Sequence, residues 1–534
     1  MNSIALTRCL VCHSKKNYYD FSLDQYRVEE CANCGMMRLN PQPSDEALGQ
    51  IYGANYFFTD TENIAALKSS TADRYLDLLT TYTKAPLQGK LLEVGCGHGD
   101  FLARAKARGL DVTGVEYSEH SVAIAQAKLG TGGTVIQGEI AAIDTEARFD
   151  YIVFADVLEH VRNPRLFLQK AHALLNENGI AVAIVPSTDS LSARLMRNKW
   201  MEFKPEHLWY FSRKNLRQLL YTEHFGSTKT HKAKKTLSFN YIAEHFNRYP
   251  VQPFTSLLNL GKKILPNFIG RQPLHLDAGG IMVIARKKPV TTRKKLSIVM
   301  AVYNEEKTLS LTVDRVLAKT LPDLDIELII VESQSTDNTQ TILKQYESHP
   351  RVTVIYQPKA MGKGYAIREG FKHVTGDFIL IQDADDEYDF EDYDALLEPL
   401  VSGEQTFVLG ARHGGRAWKM RQFSDQRLTG HFLNFGHWGF TLLVNVLFGL
   451  RLKDPFTMFK VFRTDCLDGL QFECNRFDFD YELLIKLVRS GNRPIEIPVN
   501  YRSRSFKEGK KIRVFRDPIT WIRAIVRFRL QKAN

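Results

Sequence analysis

The sequence predicts an α/β protein that consists of a small cysteine ribbon followed by two α/β domains. Two C-x2-C pairs lie near the start of the 534-residue chain, which is too long for a single hydrophobic core. After them, apolar runs of strand length alternate with helical periodicity in two separate series. A basic segment containing proline and threonine, residues 286–295, separates the two series. We therefore expect domains at 1–45, 46–288 and 289–534.

The composition is that of folded protein, because 44% of the residues are hydrophobic, 25% are charged and no low-complexity tract is present. The first residues, MNSIALTRCLVCHSKK, lack the apolar core of a signal peptide. No run of apolar residues reaches membrane-spanning length. These features predict a cytoplasmic protein.

The basic charge is concentrated at the end of the chain. Residues 501–534 contain eleven Lys and Arg against Glu508 and Asp517, so they carry +9 of the net charge of +11. Such a tail favours an anionic partner, namely a membrane surface, a phosphorylated lipid or nucleic acid. A solvated helix face is the alternative for several of these residues.

Four of the seven cysteines form one pattern, with eighteen residues between the two pairs: Cys9, Cys12, Cys31 and Cys34. Two tight turns that each supply two thiolates are typical of a tetrahedral structural zinc site. Disulfides are the alternative, and a reducing cytoplasm disfavours them.

The first α/β series begins with a short apolar strand that leads into Gly95, Gly97 and Gly99. Glycines at these positions let the backbone turn sharply and approach a ligand, and the helix from Phe101 presents its positive end there. The next strand ends at Glu116, where nucleotide-binding domains place the acid that accepts ribose hydroxyl groups.

Residues 46–288 resemble the class I S-adenosylmethionine-dependent methyltransferases, which have a Rossmann-like fold. The resemblance rests on EVGCGHGD, VEYSEHSV, FDYIVFADVLEHVRNP, LLNENGIAVAIVP and the closing strand AGGIMVIARKK. It implies S-adenosylmethionine as cofactor, with Glu93 in the cofactor loop and Glu139 at the adenine.

The ribbon followed by NPQPS is similar to a branch of this family that methylates nucleotide-linked sugars. In that branch, the positions of Glu206 and His207 in KPEHLWYFS serve as base or substrate contacts. Histidine is suited to proton abstraction near neutral pH. A structural cluster of His207 with its aromatic neighbours is the alternative, and His160 in LEHV is a less specific candidate.

The second series also places polar residues after its apolar strands. QDADDEYDFEDY follows the strand FILI, so Asp383, Asp385 and further carboxylates lie at a strand end. Carboxylates gathered there repel one another, so they need either a cation or a solvated loop.

Residues 292–534 resemble family 2 glycosyltransferases of the dolichyl-phosphate mannose synthase type, which implies a GT-A type fold that binds a nucleotide sugar. In that resemblance Asp383 and Asp385 form the Asp-x-Asp motif that holds Mg²⁺ or Mn²⁺. The nucleotide and phosphate contacts that it implies come from VYNEE, VESQSTDNT and PKAMGKGYAIREG: Tyr303, Glu305, Glu332, Gly362 and Lys363.

Later segments also have counterparts in this family. They imply catalytic roles for Arg412 and Asp480, and an acceptor-phosphate clamp at Arg504 and Lys510. Where many members have DDGS, this chain reads ESQS from Glu332, so the preferred nucleotide base stays open.

The sequence therefore predicts a bifunctional methyltransferase and inverting glycosyltransferase in surface glycan or glycolipid synthesis. The acceptor is expected to be a polyprenyl phosphate or a glycan, with peripheral membrane contact through the tail. The alternatives are one active half that acts on a soluble glycan, a scaffold with one degenerate half, and a nucleic-acid-binding protein that uses the ribbon and the tail. The two ligand-binding halves make nucleic acid an unlikely partner.

Overall fold

A computed structural model describes residues 5–51, 62–248, 250–291, 293–412, 427–502 and 517–531. The chain divides into two compact units, Met1–Val290 and Thr291–Asn534.

The first unit contains eleven strands and ten helices among its described residues. The strands are β1 Asn17–Leu23, β2 Tyr26–Cys31, β3 Met37–Leu39, β4 Lys90–Val94, β5 Asp111–Glu116, β6 Gly133–Gln137, β7 Phe149–Ala155, β8 Leu175–Pro186, β9 Trp209–Tyr210, β10 Phe225–Leu237 and β11 Leu274–Lys287. The helices are α1 Asp45–Ile51, α2 Glu62–Thr83, α3 Asp100–Ala107, α4 Glu119–Leu129, α5 Pro164–Leu174, α6 Leu191–Met196, α7 Arg213–Thr222, α8 Phe239–Arg248, α9 Phe254–Ile264 and α10 Asn267–Gly270.

The main sheet of this unit has the order β10-β11-β8-β7-β4-β5-β6. The five strands from β8 to β6 are parallel, and β11 closes against β8 in the antiparallel direction. The central strands are almost continuously apolar because helices cover both faces of a parallel sheet. This confirms the predicted Rossmann-like fold with its closing antiparallel strand, and it sets the ends of β4, β5 and β7 along one edge.

The cysteine ribbon forms a second sheet, β1-β2-β3-β9, whose last strand comes from the methyltransferase-like segment. Met37 pairs with Tyr210 and Arg38 pairs with Trp209. The four cysteines also share a hydrophobic cluster with residues of β7, β8 and α7. The cysteine end of the ribbon is therefore packed into the first unit, whereas Val28 and Leu39 of its strands form a small cluster with Tyr210.

Side chains before several helices explain where these helices begin. Ser118 accepts a hydrogen bond from the amide of Ser121 at α4, and Ser212 accepts one from Asn215 at α7. Asn163 caps α5, where Pro164 occupies the first position. These residues satisfy amide groups that have no partner within the helix, and proline has no amide hydrogen to lose there.

The second unit contains seven strands and seven helices among its described residues. The strands are β12 Lys294–Val302, β13 Leu324–Glu332, β14 Val352–Tyr356, β15 Phe378–Asp383, β16 Phe407–Arg412, β17 Lys460–Arg463 and β18 Ile495–Val499. The helices are α11 Leu309–Ala318, α12 Thr339–Lys344, α13 Lys363–Phe371, α14 Tyr393–Val401, α15 Arg427–Phe448, α16 Phe479–Arg489 and α17 Asp517–Leu530.

Its sheet is mixed and has the order β14-β13-β12-β15-β17-β16-β18. The first four strands are parallel, whereas β17 runs antiparallel to both β15 and β16. The carboxyl ends of β12, β13, β14 and β15 consequently meet at one edge, where the sequence had placed its polar residues. This mixed α/β sheet confirms the second predicted α/β domain.

The helices α15 and α17 are each half-buried. On α17, Ala524, Ile525 and Phe528 pack into the core of the unit, and the rings of Phe440 on α15 and Trp521 on α17 lie 5.5 Å apart. The opposite side of each helix exposes large apolar side chains, and that of α17 also exposes arginines. Within the described part of the chain, no helix combines the length and the apolar character needed to cross a bilayer.

Candidate functional site

The four ribbon cysteines are buried and converge on one point. The Sγ atoms of Cys9 and Cys34 are 3.5 Å apart, as are those of Cys12 and Cys31, and all four lie within 4.8 Å of one another. A tetrahedral site with Zn–S bonds of 2.3 Å needs sulfur atoms about 3.8 Å apart. All four thiols are free, so this donor set fits zinc.

The two turns that supply these thiols have matching geometry. The residue after the second cysteine of each pair has a left-handed backbone, with φ of 57° at His13 and 74° at Gly35. The amide of each donates to the carbonyl of the first cysteine in its pair, at 3.1 and 2.9 Å. The paired turns orient both thiols of each pair toward the same centre.

In the main sheet of the first unit, the loop after β4 is shaped by glycine. Gly95, Gly97 and Gly99 all have positive φ. A Cβ at Gly95 would lie 2.6 Å from Val157, and one at Gly99 would lie 3.2 Å from the backbone of Ala125. A Cβ at Gly97 would meet no atom within 4 Å, so that position borders open space. The loop can therefore accept a ligand against its backbone.

Glu116 connects this loop to the end of β5. Its carboxylate accepts hydrogen bonds from the amides of Gly97 at 2.9 Å and Ser118 at 3.0 Å. Each oxygen retains a second lone pair for a ligand hydroxyl. Glu93 is buried on β4, and burial raises its pKa well above the ordinary value. Glu139 is exposed beyond the end of β6.

A second polar group lies where β7 ends. His160 and His207 face each other edge-on, with ring centroids 4.6 Å apart, and the amide of Leu208 donates to the carbonyl of Glu159 at 2.8 Å. Glu206 is buried, and its carbonyl oxygen lies 3.0 Å from Nδ1 of His160. Burial lowers the pKa of both histidines to about 3, so both rings are neutral near pH 7.

In the second unit, the loops after β12 and β13 are joined by hydrogen bonds. Glu332 is fully buried, and its oxygens accept from the amides of Gln334 and Ser335 and from the side chain of Gln340. These hydrogen bonds to Glu332 stabilise the loop that follows β13. Glu305, after β12, accepts from the Thr308 hydroxyl.

Lys363 and Asp383 form an ion pair at the edge of this sheet. Burial is the largest single influence on Lys363 and would lower its pKa, but the carboxylates of Asp383, Asp480 and Asp385 together outweigh it and the pKa is raised. Lys363 begins α13 after Gly362, where φ is 108° and a Cβ would lie 2.4 Å from the carbonyl of Asn475. Asp385, two residues beyond Asp383, is buried.

Arg412, at the end of β16, is held by a buried carboxylate. Its Nε and Nη2 atoms donate to Asp454 at 2.7 and 2.8 Å, and its guanidinium lies 5.2 Å from the ring centroid of Tyr501. Burial is the largest single influence on Asp454 and would raise its pKa, but the charge and hydrogen bonds of Arg412, together with His437, outweigh it and lower the pKa to about 2. His437 also contacts Asp454, at 3.5 Å.

Asp480 begins the series of inward-facing acids on α16. Its Oδ1 atom is 3.8 Å from the ammonium of Lys460 and accepts no hydrogen bond from the described residues. Burial raises the pKa of Asp480 and lowers that of Lys460. Glu482, by contrast, accepts from the amides of Glu473 and Cys474 and stabilises that loop.

Comparison with known proteins gives a family for each unit. Residues 297–463 match Glycosyl transferase family 2, and residues 67–231 match a methyltransferase domain. The chain is 30% identical over 233 residues to dolichyl-phosphate beta-glucosyltransferase ALG5A of Trichomonas vaginalis, a match that covers 41% of this chain and 68% of that protein.

The chain belongs to glycosyl transferase family 2. A second relative from the same organism, dolichyl-phosphate beta-glucosyltransferase ALG5C, is 28% identical over 219 residues, which are 38% of this chain and 63% of the relative. The crystal structure of Mycobacterium tuberculosis glucosyl-3-phosphoglycerate synthase with Mn²⁺, uridine diphosphate and phosphoglyceric acid is 19% identical. That match has a TM-score of 0.33 and covers 44% of this chain and 79% of that chain.

The glycosyltransferase unit brings most of its predicted site residues to one sheet edge. Those on its described strands, loops and helices are Tyr303, Glu305, Glu332, Gly362, Lys363, Asp383, Asp385, Arg412 and Asp480. Arg504 and Lys510 lie outside the described residues. Their individual roles, like those of the methyltransferase residues, stay predictions.

Two residues with distinctive surroundings were absent from the sequence prediction. His437, which lies on α15, contacts Asp454. The local sequence GHWGF contains no pattern that predicts this long-range contact. Glu159 is buried beside the predicted His160. The acid–histidine pair shortly after the apolar strand YIVFA, in the segment DVLEH, was the available signal for Glu159.

Proposed function

We propose that this protein is a bifunctional transferase with one activity in each unit. The first unit transfers a methyl group from S-adenosylmethionine, and the second transfers a sugar from a nucleotide donor to a polyprenyl phosphate at a membrane surface. The methyltransferase and glycosyltransferase matches support this pairing. The observation that carries it is that each unit has its own sheet edge, at the carboxyl ends of its parallel strands, where residues suited to bind a ligand lie together.

The methyl-transfer activity follows from the loop after β4. The amides around Gly95 and Gly97 approach the cofactor, and Glu116 accepts the ribose hydroxyl groups while its own position is fixed by two amides. S-adenosylmethionine supplies an electrophilic methyl group. The protein holds the acceptor atom in line with that methyl group, and proximity lowers the entropic part of the barrier.

The glycosyl-transfer activity follows from the charges around Asp383. Asp383 and Asp385 provide oxygen ligands that suit Mg²⁺ or Mn²⁺, which supply positive charge to the donor diphosphate. Lys363, now paired with Asp383, lies where its ammonium can contact a phosphate oxygen. An acceptor phosphate oxygen displaces the nucleoside diphosphate from the anomeric carbon, with inversion at that carbon. A phosphate acceptor is already deprotonated, so Asp480 is needed to orient the reactants more than to act as a strong base.

A membrane location is supported by two exposed apolar stripes. Both α15 and α17 expose four large apolar side chains with identical spacing: Phe435, Trp438, Leu442 and Val446 on α15, and Ile519, Ile522, Val526 and Leu530 on α17. Exposed arginines lie among them on α17 at Arg523, Arg527 and Arg529. Apolar stripes with neighbouring arginines favour the interface of an anionic bilayer, which we assign to the cytoplasmic face.

The ribbon completes the proposal as a structural zinc site. Its buried thiols have suitable spacing, and the shared core explains how zinc would stabilise the first unit. The four thiolates fill the tetrahedral coordination of zinc, so the site has no open position for a substrate.

One experiment tests both activities on the full chain. Donor hydrolysis is screened with a panel of nucleotide sugars, with Mg²⁺, with Mn²⁺ and with chelator, while S-adenosylmethionine binding is measured by calorimetry. We expect metal-dependent hydrolysis of one donor and binding of the methyl donor. Hydrolysis of no donor, or binding of no methyl donor, would reduce the protein to one active unit.

A further inference from the structure

A buried carboxylate and two histidines meet at the end of β7. Glu159 and His160 lie in the turn that follows this strand, four and five residues after Ala155, and His207 lies in the segment before β9. One carboxylate oxygen and one ring nitrogen from each histidine lie within 4.8 Å of one another. The group is adjacent to the glycine loop, because Val157 lies 2.6 Å from the position of a Cβ at Gly95.

Backbone carbonyls fix which nitrogen of each ring carries the proton. Nδ1 of His160 lies 3.0 Å from the carbonyl oxygen of Glu206, and Nδ1 of His207 lies 2.8 Å from that of Glu202. A carbonyl only accepts hydrogen bonds, so each Nδ1 is the donor and each lone pair is on Nε2. A carbonyl behind the imidazole is the usual support of a metal-ligating histidine.

Glu159 lacks the contacts that a buried carboxylate needs. It is 1% exposed, and neither oxygen accepts a hydrogen bond from the described residues. The nearby ammonium of Lys235 is 2.7 Å from Asp156 and is paired there. Burying a charged carboxylate without a partner is strongly unfavourable, so Glu159 is either protonated or compensated by a cation.

We propose that Glu159, His160 and His207 bind a divalent transition-metal ion, a second metal centre distinct from the ribbon. Two imidazole nitrogens and one carboxylate oxygen suit Zn²⁺, Fe²⁺, Co²⁺ or Mn²⁺ and leave at least one coordination position open. In this arrangement His207 is a metal ligand and not the proton-abstracting base that the sequence predicts.

The position of the metal indicates the class of methyl acceptor, an inference that rests on the proposed methyl transfer. A sugar hydroxyl that occupies the open position becomes more acidic and releases its proton to water. The resulting oxygen attacks the sulfonium methyl group: the O–C bond forms, the C–S bond breaks, and its electron pair leaves with S-adenosylhomocysteine. The acceptor is therefore a hydroxyl group, and the product is a methyl ether.

The test counts metals in the full-length protein. Protein reconstituted with Co²⁺ is analysed by elemental analysis and absorption spectroscopy, and we expect two ions per chain. The ribbon gives a strong sulfur-to-cobalt charge-transfer band, whereas the second site gives weaker bands without it. Glu159→Gln and His207→Gln are each expected to lose one ion and keep the sulfur band.

Two matched variants control for indirect effects. Glu119→Gln removes an exposed acid of α4, and His120→Ala removes the exposed histidine beside it. Both are expected to retain two ions. A wild-type protein with only the sulfur-ligated ion, or site variants that retain both ions, would overturn the proposal. If Glu159→Gln unfolds, the wild-type count and spectrum decide alone.

Calorimetry with S-adenosylmethionine separates this proposal from the proposed function. If the wild-type protein holds both metals but binds no methyl donor, the metal site stands and the methyl-transfer assignment fails. If it binds the methyl donor with only one metal, the reverse holds.

Discussion

The two units use the same edge of a parallel sheet in opposite ways. In the methyltransferase unit, the edge around Gly97 consists of backbone, with one carboxylate, Glu116, held by two amides. In the glycosyltransferase unit, the corresponding edge is filled with charged side chains that pair with each other, such as Lys363 with Asp383 and Arg412 with Asp454.

This difference matches the charge of the proposed ligands. S-adenosylmethionine carries single charges that are spread along the molecule and offers ribose hydroxyl groups, which one acid and exposed amides can recognise. A metal–diphosphate carries concentrated charge, so its site needs groups that are paired in its absence and that exchange partners when it binds. Four experiments test this difference between the two sheet edges.

The largest effect is expected from breaking the Arg412–Asp454 pair. Asp454→Ala leaves a buried guanidinium without its carboxylate and should lower the free energy of unfolding by about 3–5 kcal/mol. Glu391→Ala, which removes an exposed partner of Lys319, should cost less than about 1 kcal/mol. Calorimetric unfolding of the full chain measures both losses of stability. Equal losses would contradict the interpretation that paired charges stabilise this edge of the sheet.

The same pair has a defined pH dependence. The pKa of Asp454 is about 2 in the folded protein, below the ordinary value of about 3.9. Its contribution to stability is therefore complete above the unfolded pKa and is lost as the pH falls through the folded one. The stability difference between wild type and Asp454→Asn should narrow as the pH falls from about 4 toward 2.

The second experiment removes a proposed metal ligand. Asp385→Asn should reduce glycosyl transfer by about 10²–10³-fold, because charge on the leaving diphosphate is then poorly compensated. Asp386→Asn changes the adjacent acid and should have a much smaller effect. Binding of S-adenosylmethionine should be unchanged in both variants. Full glycosyl transfer in chelator would remove the metal from the reaction.

The third experiment tests the sheet edge of the methyltransferase unit, where the backbone around Gly97 is expected to contact the cofactor. Glu116→Ala should weaken S-adenosylmethionine binding by about 1–3 kcal/mol through lost hydrogen bonds to a charged group. Gly97→Val should abolish binding, because its side chain would enter the open space at the loop. Titration calorimetry measures both affinities. Wild-type affinity in the two variants would place the cofactor elsewhere.

The smallest effect is expected at the apolar stripes, away from both edges. Ile522→Glu combined with Val526→Glu should reduce flotation with anionic liposomes by about tenfold, because two exposed apolar contacts with the bilayer are lost. Leu311→Glu changes an exposed leucine on α11 and should leave flotation unchanged. A wild-type protein that stays in solution at low salt would favour a soluble acceptor.

The sequence predicts features that are local along the chain. The order of strand, glycines, helix and Glu116 predicts the loop after β4, and the apolar run before Asp383 predicts a central strand with acids at its end. Both patterns depend on a few consecutive residues, and both strands are present in the structure.

Contacts between distant residues could not be predicted in this way. Glu159 meets His207 across 48 positions only because the amides of Leu208 and Trp209 donate to the carbonyl of Glu159. His437 reaches Asp454 only because α15 packs against the segment that carries Asp454, where the rings of His437 and Phe456 lie 5.5 Å apart. Lys363 was expected to contact phosphate, but its pairing with Asp383 depends on how α13 packs against β12 and β13. Such pairings follow from tertiary packing, which hydrophobic periodicity does not encode.

The pairing of β3 with β9 has a consequence for synthesis of the protein. Met37 leaves the ribosome about 170 residues before its partner Tyr210, a delay of roughly 10–30 s at ordinary translation rates. During that interval the edge of the ribbon sheet has no neighbour, and unpaired edges promote association between chains. Early capture of zinc by the four thiols would keep the nascent ribbon closed until its last strand emerges.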